Sequence, residues 1–477
     1  MTTYQIGHFV GGEFRGEPTV ARANPADAAD VVALRPDGDA GVAADAVAAA
    51  VAAQSAWGRL PGPARGTVLA DAAELLRQRS GEIARDLTRE EGKTLAEARG
   101  EVRRAVDVLR FFGGEAWRSG GQQIPSAQPD TFVYTKREPV GVAAVITPWN
   151  FPIAIPAWKC APALAAGNAV VLKPAEATPV SVWHLARALA DAGLPPGVFN
   201  VVYGDGAVVG RALAEDARVA ALSFTGSVSV GRELHDVVSK RRARVQLEMG
   251  GKNPLVVLDD ADPDVAARIA AASGFALTGQ ACTAASRVIC TPGIHDAFVD
   301  ALVREAGRYR PGDGQADGVL MGPVVDAAQL ATDRDYISVA AAEGGQVLTG
   351  SGEPAGLLQE PVVVTQVKPD HRVAQEEVFG PVVAVLSAGD LDEAVQVANE
   401  VPYGLAAGIV TGDLRAAHRF ADTVQAGVVK VNRPTTGLDL NVPFGGVKDS
   451  STNTFREQGS TAVDFYTWTK SVYMGVD

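Results

Sequence analysis

Short apolar runs alternating with helical stretches between Val142 and Glu248 constrain the fold of this 477-residue chain more than any other feature. Runs at 142–146, 169–172, 199–202, 220–224 and 245–248 have strand length and little polar content. Helical stretches at 153–166, 180–192 and 228–239 separate them. Strands covered on both faces read as continuous apolar runs, and crossover helices supply the cover, so this rhythm implies a parallel sheet. The alternation restarts after Gly250-Gly251, with strands at 255–258, 287–290, 382–386, 406–410 and 428–431 and a helix at 263–276. A second α/β layer system follows, with a domain boundary near Gly250.

The rest of the chain is organised differently. Residues 42–57 and 63–118 read as helical, with Ser80 as the cap of a helix starting at Gly81 and with Gly113-Gly114 weakening the end of the last one. Ser119-Gly120-Gly121 breaks this region. Residues 131–138 alternate like a strand. The tail at 464–474 is β-rich and terminal, a candidate for strand pairing between subunits.

Charge and cysteine usage exclude several function classes. A net charge of −13 disfavours nucleic acid and anionic membrane, which both require a basic face. The Lys240-Arg241-Arg242 run reads as solvated surface. Three cysteines, Cys160, Cys282 and Cys290, are too few for a disulfide framework and imply a reducing compartment. The first residues carry no secretory pattern, and no apolar run reaches the roughly 20 residues of a membrane span. The protein is expected in the cytoplasm.

Two segments carry the chemistry: Glu248-Met249-Gly250-Gly251-Lys252-Asn253-Pro254 and Gly279-Gln280-Ala281-Cys282-Thr283. A thiol and a carboxylate each lie beside glycine, where backbone can approach a ligand closely. A lone Cys is commonly a small core residue, and a Glu after a strand is commonly solvated. Together they suit acyl chemistry, with a thiolate attacking a carbonyl and a carboxylate activating water. Cys160 and Cys290 lie in apolar surroundings and read as packing residues.

Other motifs follow strands. Thr147-Pro148-Trp149-Asn150-Phe151-Pro152 opens a helix, where Asn150 suits either an N-cap or an oxyanion donor. Lys173 and Glu176 leave a strand where open α/β sheets bind ligands. Phe224-Thr225-Gly226-Ser227-Val228-Ser229-Val230-Gly231 opens a helix whose N–H groups suit a pyrophosphate. Its spacing is neither a Gly-x-Gly-x-x-Gly fingerprint nor a P-loop. Glu376-Glu377-Val378-Phe379 reads by itself as a solvated turn.

The Glu248 and Cys282 segments resemble the two signatures of the aldehyde dehydrogenase superfamily. The Thr147, Phe224, Glu376 and Pro443-Phe444-Gly445-Gly446-Val447-Lys448 segments match further family motifs in order. The resemblance spans essentially the whole chain. It implies an α/β fold with two doubly wound parallel-sheet domains and a small β bridging or oligomerisation element. Residues 1–120 and 140–250 then form the dinucleotide-binding domain, 251–447 the catalytic domain, and 121–139 with 462–477 the bridge. It also implies NAD(P)-dependent oxidation of an aldehyde to an acid by a homodimer or homotetramer.

Residue by residue, the resemblance assigns Cys282 as nucleophile, Glu248 as base and Asn150 as oxyanion donor; Lys159, on the helix after Asn150, is a candidate for a proton relay near Glu248. Cofactor contacts fall to Thr147, Pro148, Trp149, Lys173, Glu176, Gly206, Phe224, Thr225, Gly226, Ser227, Gly231, Leu247, Gly250, Glu377 and Phe379. A Glu at 176 should repel a 2′-phosphate, which favours NAD while leaving NADP open. Phe151, Trp158, Gln280 and Phe444 are substrate-side candidates, and no metal is implied. Residues 149–159, 282–287 and 434–439 resemble the branch acting on α-ketoglutarate semialdehyde. Succinate-semialdehyde-type relatives carry Arg where this chain has Trp158 and Ala276, so the carboxylate clamp is absent from those positions. Aromatic or aliphatic aldehydes, a CoA-acylating reaction and a non-catalytic NAD-binding protein remain the alternatives.

Overall fold

The computed structural model describes residues 2–475. Its first large sheet has seven strands in the order Arg244–Glu248, Val219–Thr225, Val142–Ile146, Ala169–Lys173, Phe199–Val201, His8–Val10 and Glu13–Arg15. The first five run parallel, and the two N-terminal strands extend the edge antiparallel. Every residue of Val142–Ile146 and Ala169–Lys173 is buried, because helices cover both faces. The second sheet, also of seven strands, starts at Asn253–Val257 and draws on Ala285–Cys290, Val362–Thr365, Val382–Ser387, Ala406–Val410 and Val428–Val431 in parallel. The short Gln346–Val347 strand joins it antiparallel. Its two faces are likewise buried.

The N-terminal helices differ from the sequence reading in two places. The helix Leu95–Arg118 runs straight through Gly113 and Gly114. A Cβ at Gly66 would sit 2.3 Å from the Gly113 carbonyl oxygen, so these glycines let Gly62–Gln78 and Leu95–Arg118 pack backbone to backbone. The helix ends at Arg118 with Ser119 as its C-cap, where the break was expected; a further break lies at Gly92, which has φ +107°, followed by a capping box of Thr94 and Glu97. Ser80 does not cap: the helix Ser80–Glu91 starts on it, with Arg79 in the cap position and no side-chain bond there.

The tail also divides. Ala462–Tyr466 is helical, and its Phe465 and Tyr466 are buried in the first core. Only Thr467–Gly475 is strand, paired antiparallel with Thr131–Pro139. Buried Ala462, Val463, Phe465 and Tyr466, with only Asp464 between the pairs, suit a short docked helix better than period-2 alternation. Residues 1, 476 and 477 of the expected domains lie outside the described residues. Strands at Tyr4–Gln5, Val20–Asn24 and Asp27–Arg35 form a small sheet that the sequence reading missed. Among the described residues no helix is long and apolar enough to cross a membrane.

Candidate active site

Strand order in the first sheet reverses beside Val142–Ile146: the next two strands in sequence lie on one side of it, and Val219–Thr225 lies on the other. Ligand crevices of open α/β sheets form at the carboxyl ends of strands at such a switch point. Two hollows meet there. One, of about 470 Å³, is lined by Thr147, Lys173, Glu176, Gly206 and Phe224 among others. The second, of about 230 Å³, is lined by Asn150, Met249, Gly250, Cys282, Gln329, Glu377 and Phe379. Pro148, Trp149, Thr225, Gly226 and Ser227 line both. One groove therefore runs from Lys173 to the thiol.

The groove suits a dinucleotide. The Thr147 and Thr225 hydroxyls are buried without a protein partner among the described residues. A Cβ at Gly226 would lie 2.4 Å from the Phe224 ring, and one at Gly250 would lie 1.9 Å from a Glu377 carboxylate oxygen. Ser227 caps the helix Val228–Lys240, which aims N–H groups at the groove. The Lys173 ammonium pairs with Glu176 at 2.5 Å. Glu377 accepts from the Gly251 N–H at 3.0 Å, and desolvation pushes its carboxyl up to about 7. Phe379 holds a left-handed φ of 61° and meets Trp149 edge-on at 5.5 Å. Such backbone costs on the order of 1–3 kcal/mol for a bulky residue.

The segment leading to Cys282 is strained. Leu277, Thr278 and Gly279 have φ of 57°, 57° and 68° in succession. Surrounding bonds compel this: the Leu277 N–H donates to Glu97 at 2.7 Å, and the Thr278 hydroxyl donates to the Gly322 carbonyl at 3.1 Å. The Asn253 amide nitrogen, at the start of the second sheet, donates to the Cys282 carbonyl at 2.8 Å. Cys282 is part-exposed, whereas Cys160 and Cys290 are buried. Desolvation on the cleft floor, then the charges of Glu377, Glu248 and Glu457, push its thiol up to about 12.

Asn150 is buried, with its amide nitrogen donating to the Gln280 carbonyl at 3.0 Å. A primary amide carries a second N–H, which is left for an oxyanion. Asn150 is therefore not an N-cap: the helix Ala154–Ala166 has Ile153 in the cap position. The Glu101 carboxylate does the capping, accepting from the N–H groups of Ile153 and Ala154 at 3.0 and 3.2 Å. Buried Lys93 ties Glu101 to the Asn150 carbonyl, both at 2.6 Å.

Glu248 ends the strand Arg244–Glu248 and is buried. Its carboxylate accepts from the Gly446 N–H at 3.2 Å and the Ser451 hydroxyl at 3.1 Å. Burial, then the negative charge of Glu457, holds its pKa well above the usual carboxylate range, and Lys159 opposes the shift. Glu457 escaped the sequence reading because a Glu in a polar tail gives no local signal. It is buried, bonded to the Lys159 ammonium and, at 2.8 Å, to the Trp158 indole N–H. Lys159 also donates to the Ser223 hydroxyl at 2.9 Å. Removing the charge with Glu457→Gln lowers the Glu248 pKa. The rising limb of steady turnover against pH is then expected to move to lower pH; an unmoved limb would separate Glu457 from Glu248.

Several of the expected contact residues have their side chains engaged within the protein. The Leu247 side chain lies in the core beneath the groove, and Gly231 packs against the Met249 sulfur, where a Cβ would lie at 2.4 Å. The Gln280 side chain accepts from the Val325 N–H at 2.9 Å and braces the loop. Trp158 faces Glu457, with the Phe444 ring 6.3 Å away. Phe151 lies under the Lys93 ammonium, 4.5 Å from its ring centre. Met249 and Gln329 line the cleft without having been foreseen. Among the described residues no cluster of three His, Cys, Asp or Glu side chains is arranged to hold a metal ion.

Comparison with known proteins agrees with this geometry. The model of the aldehyde dehydrogenase family matches residues 14–472. An α-ketoglutarate semialdehyde dehydrogenase of Haloferax volcanii is 50% identical over 476 residues, covering 98% of each chain. A crystal structure of an NAD-dependent aldehyde dehydrogenase from Sinorhizobium meliloti superposes with a TM-score of 0.96 at 35% identity, covering 100% of this chain and 95% of that one. A crystal structure of an NADP-dependent enzyme of E. coli gives 0.95 at 35% identity, covering 99% and 98%.

Proposed function

The chain belongs to the aldehyde dehydrogenase family, and from that premise we propose that Cys282, Glu248 and Asn150 carry its oxidation of an aldehyde to a carboxylic acid, with α-ketoglutarate semialdehyde as substrate. One observation supports the site assignment: a part-exposed thiol and a free amide N–H line the end of one groove, and a buried carboxylate lies near enough for its charge to act on that thiol. The Cys282 thiol releases its proton to water and its sulfur attacks the carbonyl carbon; loss of hydride from the adduct then leaves a thioester. The oxyanion is held by the Asn150 amide and the Cys282 N–H, each donor being worth about 3 kcal/mol. Bound NAD(P) supplies the hydride acceptor. Glu248 then takes a proton from water, which attacks the thioester and releases the acid. Its raised pKa suits a base working near neutral pH.

The substrate reading is supported by the 50% identical relative. Glu176, part-exposed beside Lys173, favours ribose hydroxyls over a 2′-phosphate. Reduced-cofactor absorbance tests both points, with NAD⁺ and NADP⁺ run in parallel on α-ketoglutarate semialdehyde, succinate semialdehyde, benzaldehyde and pentanal. The first substrate with NAD⁺ is expected to give the highest kcat/KM. Preference for benzaldehyde or pentanal would overturn the substrate reading and leave the chemistry standing. The three free thiols support a cytoplasmic setting. The outer edge of Thr467–Gly475, with exposed Trp468, Tyr473 and Met474, supports assembly into a homodimer or homotetramer through that edge.

A further inference from the structure

The helix Leu95–Arg118 gathers three separate loops along one face. Glu97, Glu101 and Arg104 are spaced i, i+4 and i+7, so they stand in a row. Glu97 holds Leu277, five residues before the nucleophile. Glu101 caps the helix that follows Asn150 and holds Lys93 against the Asn150 carbonyl. Arg104 reaches the third loop, donating to the Leu438 carbonyl at 2.7 Å and to the Gln458 side-chain carbonyl. Two of these loops lead to Cys282 and carry Asn150, and the third directly follows Glu457, so this face of the helix borders the site.

Arg104 is the one cation in that row, and no carboxylate is bonded to it. It is half-buried, and both of its hydrogen-bond acceptors are uncharged carbonyls. Among the described residues it forms no ion pair; Asp439 and Asp107 act on it only from a distance. Its guanidinium has five N–H donors, only two of which are used here. Beside it, the Gln458 amide nitrogen is buried without any partner, on a residue that is 1% exposed. Gln458 holds a left-handed φ of 61° and directly follows Glu457. A half-buried guanidinium with donors to spare, held in place by Gln458, suits an anionic oxygen.

Resting on the substrate reading above, we propose that Arg104, assisted by Gln458, binds the distal carboxylate of the substrate and selects a 2-oxo dicarboxylic semialdehyde. Arg104 thus takes the part of the arginines that succinate-semialdehyde-type relatives carry where this chain has Trp158 and Ala276. Trp158 is committed to Glu457 and leaves the charge to another element.

The test compares kcat/KM for α-ketoglutarate semialdehyde with kcat/KM for pentanal, which has the same chain length and no carboxylate. In Arg104→Met the ratio is expected to fall by about 10- to 100-fold, the scale of a charge-assisted bidentate pair. Arg104→Lys, which keeps the charge and loses the fork, is expected to fall by less. Because the ratio is taken within one preparation, a general loss of folded enzyme cancels. An unchanged ratio in both variants overturns the role of Arg104. A parent enzyme that prefers pentanal overturns the substrate reading itself, so the two failures are distinct.

Discussion

Cys282→Ala is expected to lower steady production of reduced cofactor by on the order of 10⁴-fold or more, with NAD⁺ binding retained. The reason is covalent: without the sulfur no tetrahedral adduct forms, and the remaining oxyanion donors have nothing to stabilise. Cys160 and Cys290 cannot substitute, because both are buried and burial drives their thiols far above the usual range. The substitution removes one sulfur from a part-exposed position and leaves the Asn253 bond to the residue 282 carbonyl in place, so the fold should survive. Turnover by the purified variant within tenfold of the parent, with fold verified by circular dichroism and cofactor titration, would sink the assignment.

Glu248→Gln separates the two halves of the reaction. A single burst of reduced cofactor, near one equivalent per site, is expected on mixing with aldehyde. Steady turnover should then be about 10²- to 10⁴-fold below the parent, the usual contribution of a positioned base. The amide keeps an oxygen for either the Gly446 N–H or the Ser451 hydroxyl, so the loss is one of basicity and not of packing. A parent-like steady rate would reject Glu248 as the deacylation base. A missing burst would place Glu248 in the first half of the reaction instead. The burst should also rise less steeply with pH than steady turnover in the parent, since only the second half awaits ionisation of a carboxyl whose pKa is raised.

Much of this architecture is legible in the chain. The apolar runs at 142–146 and 169–172 form strands because consecutive side chains without charge can be buried on both faces. Motifs that follow strands, such as Thr147-Pro148-Trp149 and Thr225-Gly226-Ser227, end up at the switch point because parallel strands all deliver their C-termini to one edge. Gly113 marks no weakening of its helix, since a glycine that breaks an isolated helix also lets two helices touch, as Gly113 and Gly66 do. Neither a propensity nor a periodicity distinguishes those uses.

The sequence by itself determined the class of the fold, because strand and helix patterns rest on residue type and near neighbours; it singled out Cys282, Glu248 and Asn150 as candidates only through the motifs that contain them. Tertiary structure alone decided three things. It buried Glu248 and placed Glu457, bonded to Lys159 and Trp158 about 300 residues away in the chain, where its charge adds to the rise in the Glu248 pKa that burial causes. It forced Leu277 and Thr278 into left-handed backbone through bonds to Glu97 and Gly322. It brought Arg104 to Leu438 and Gln458. Each is a meeting of distant segments, and pairing across such distances follows from how the two sheets and their covering helices pack, which no local pattern encodes.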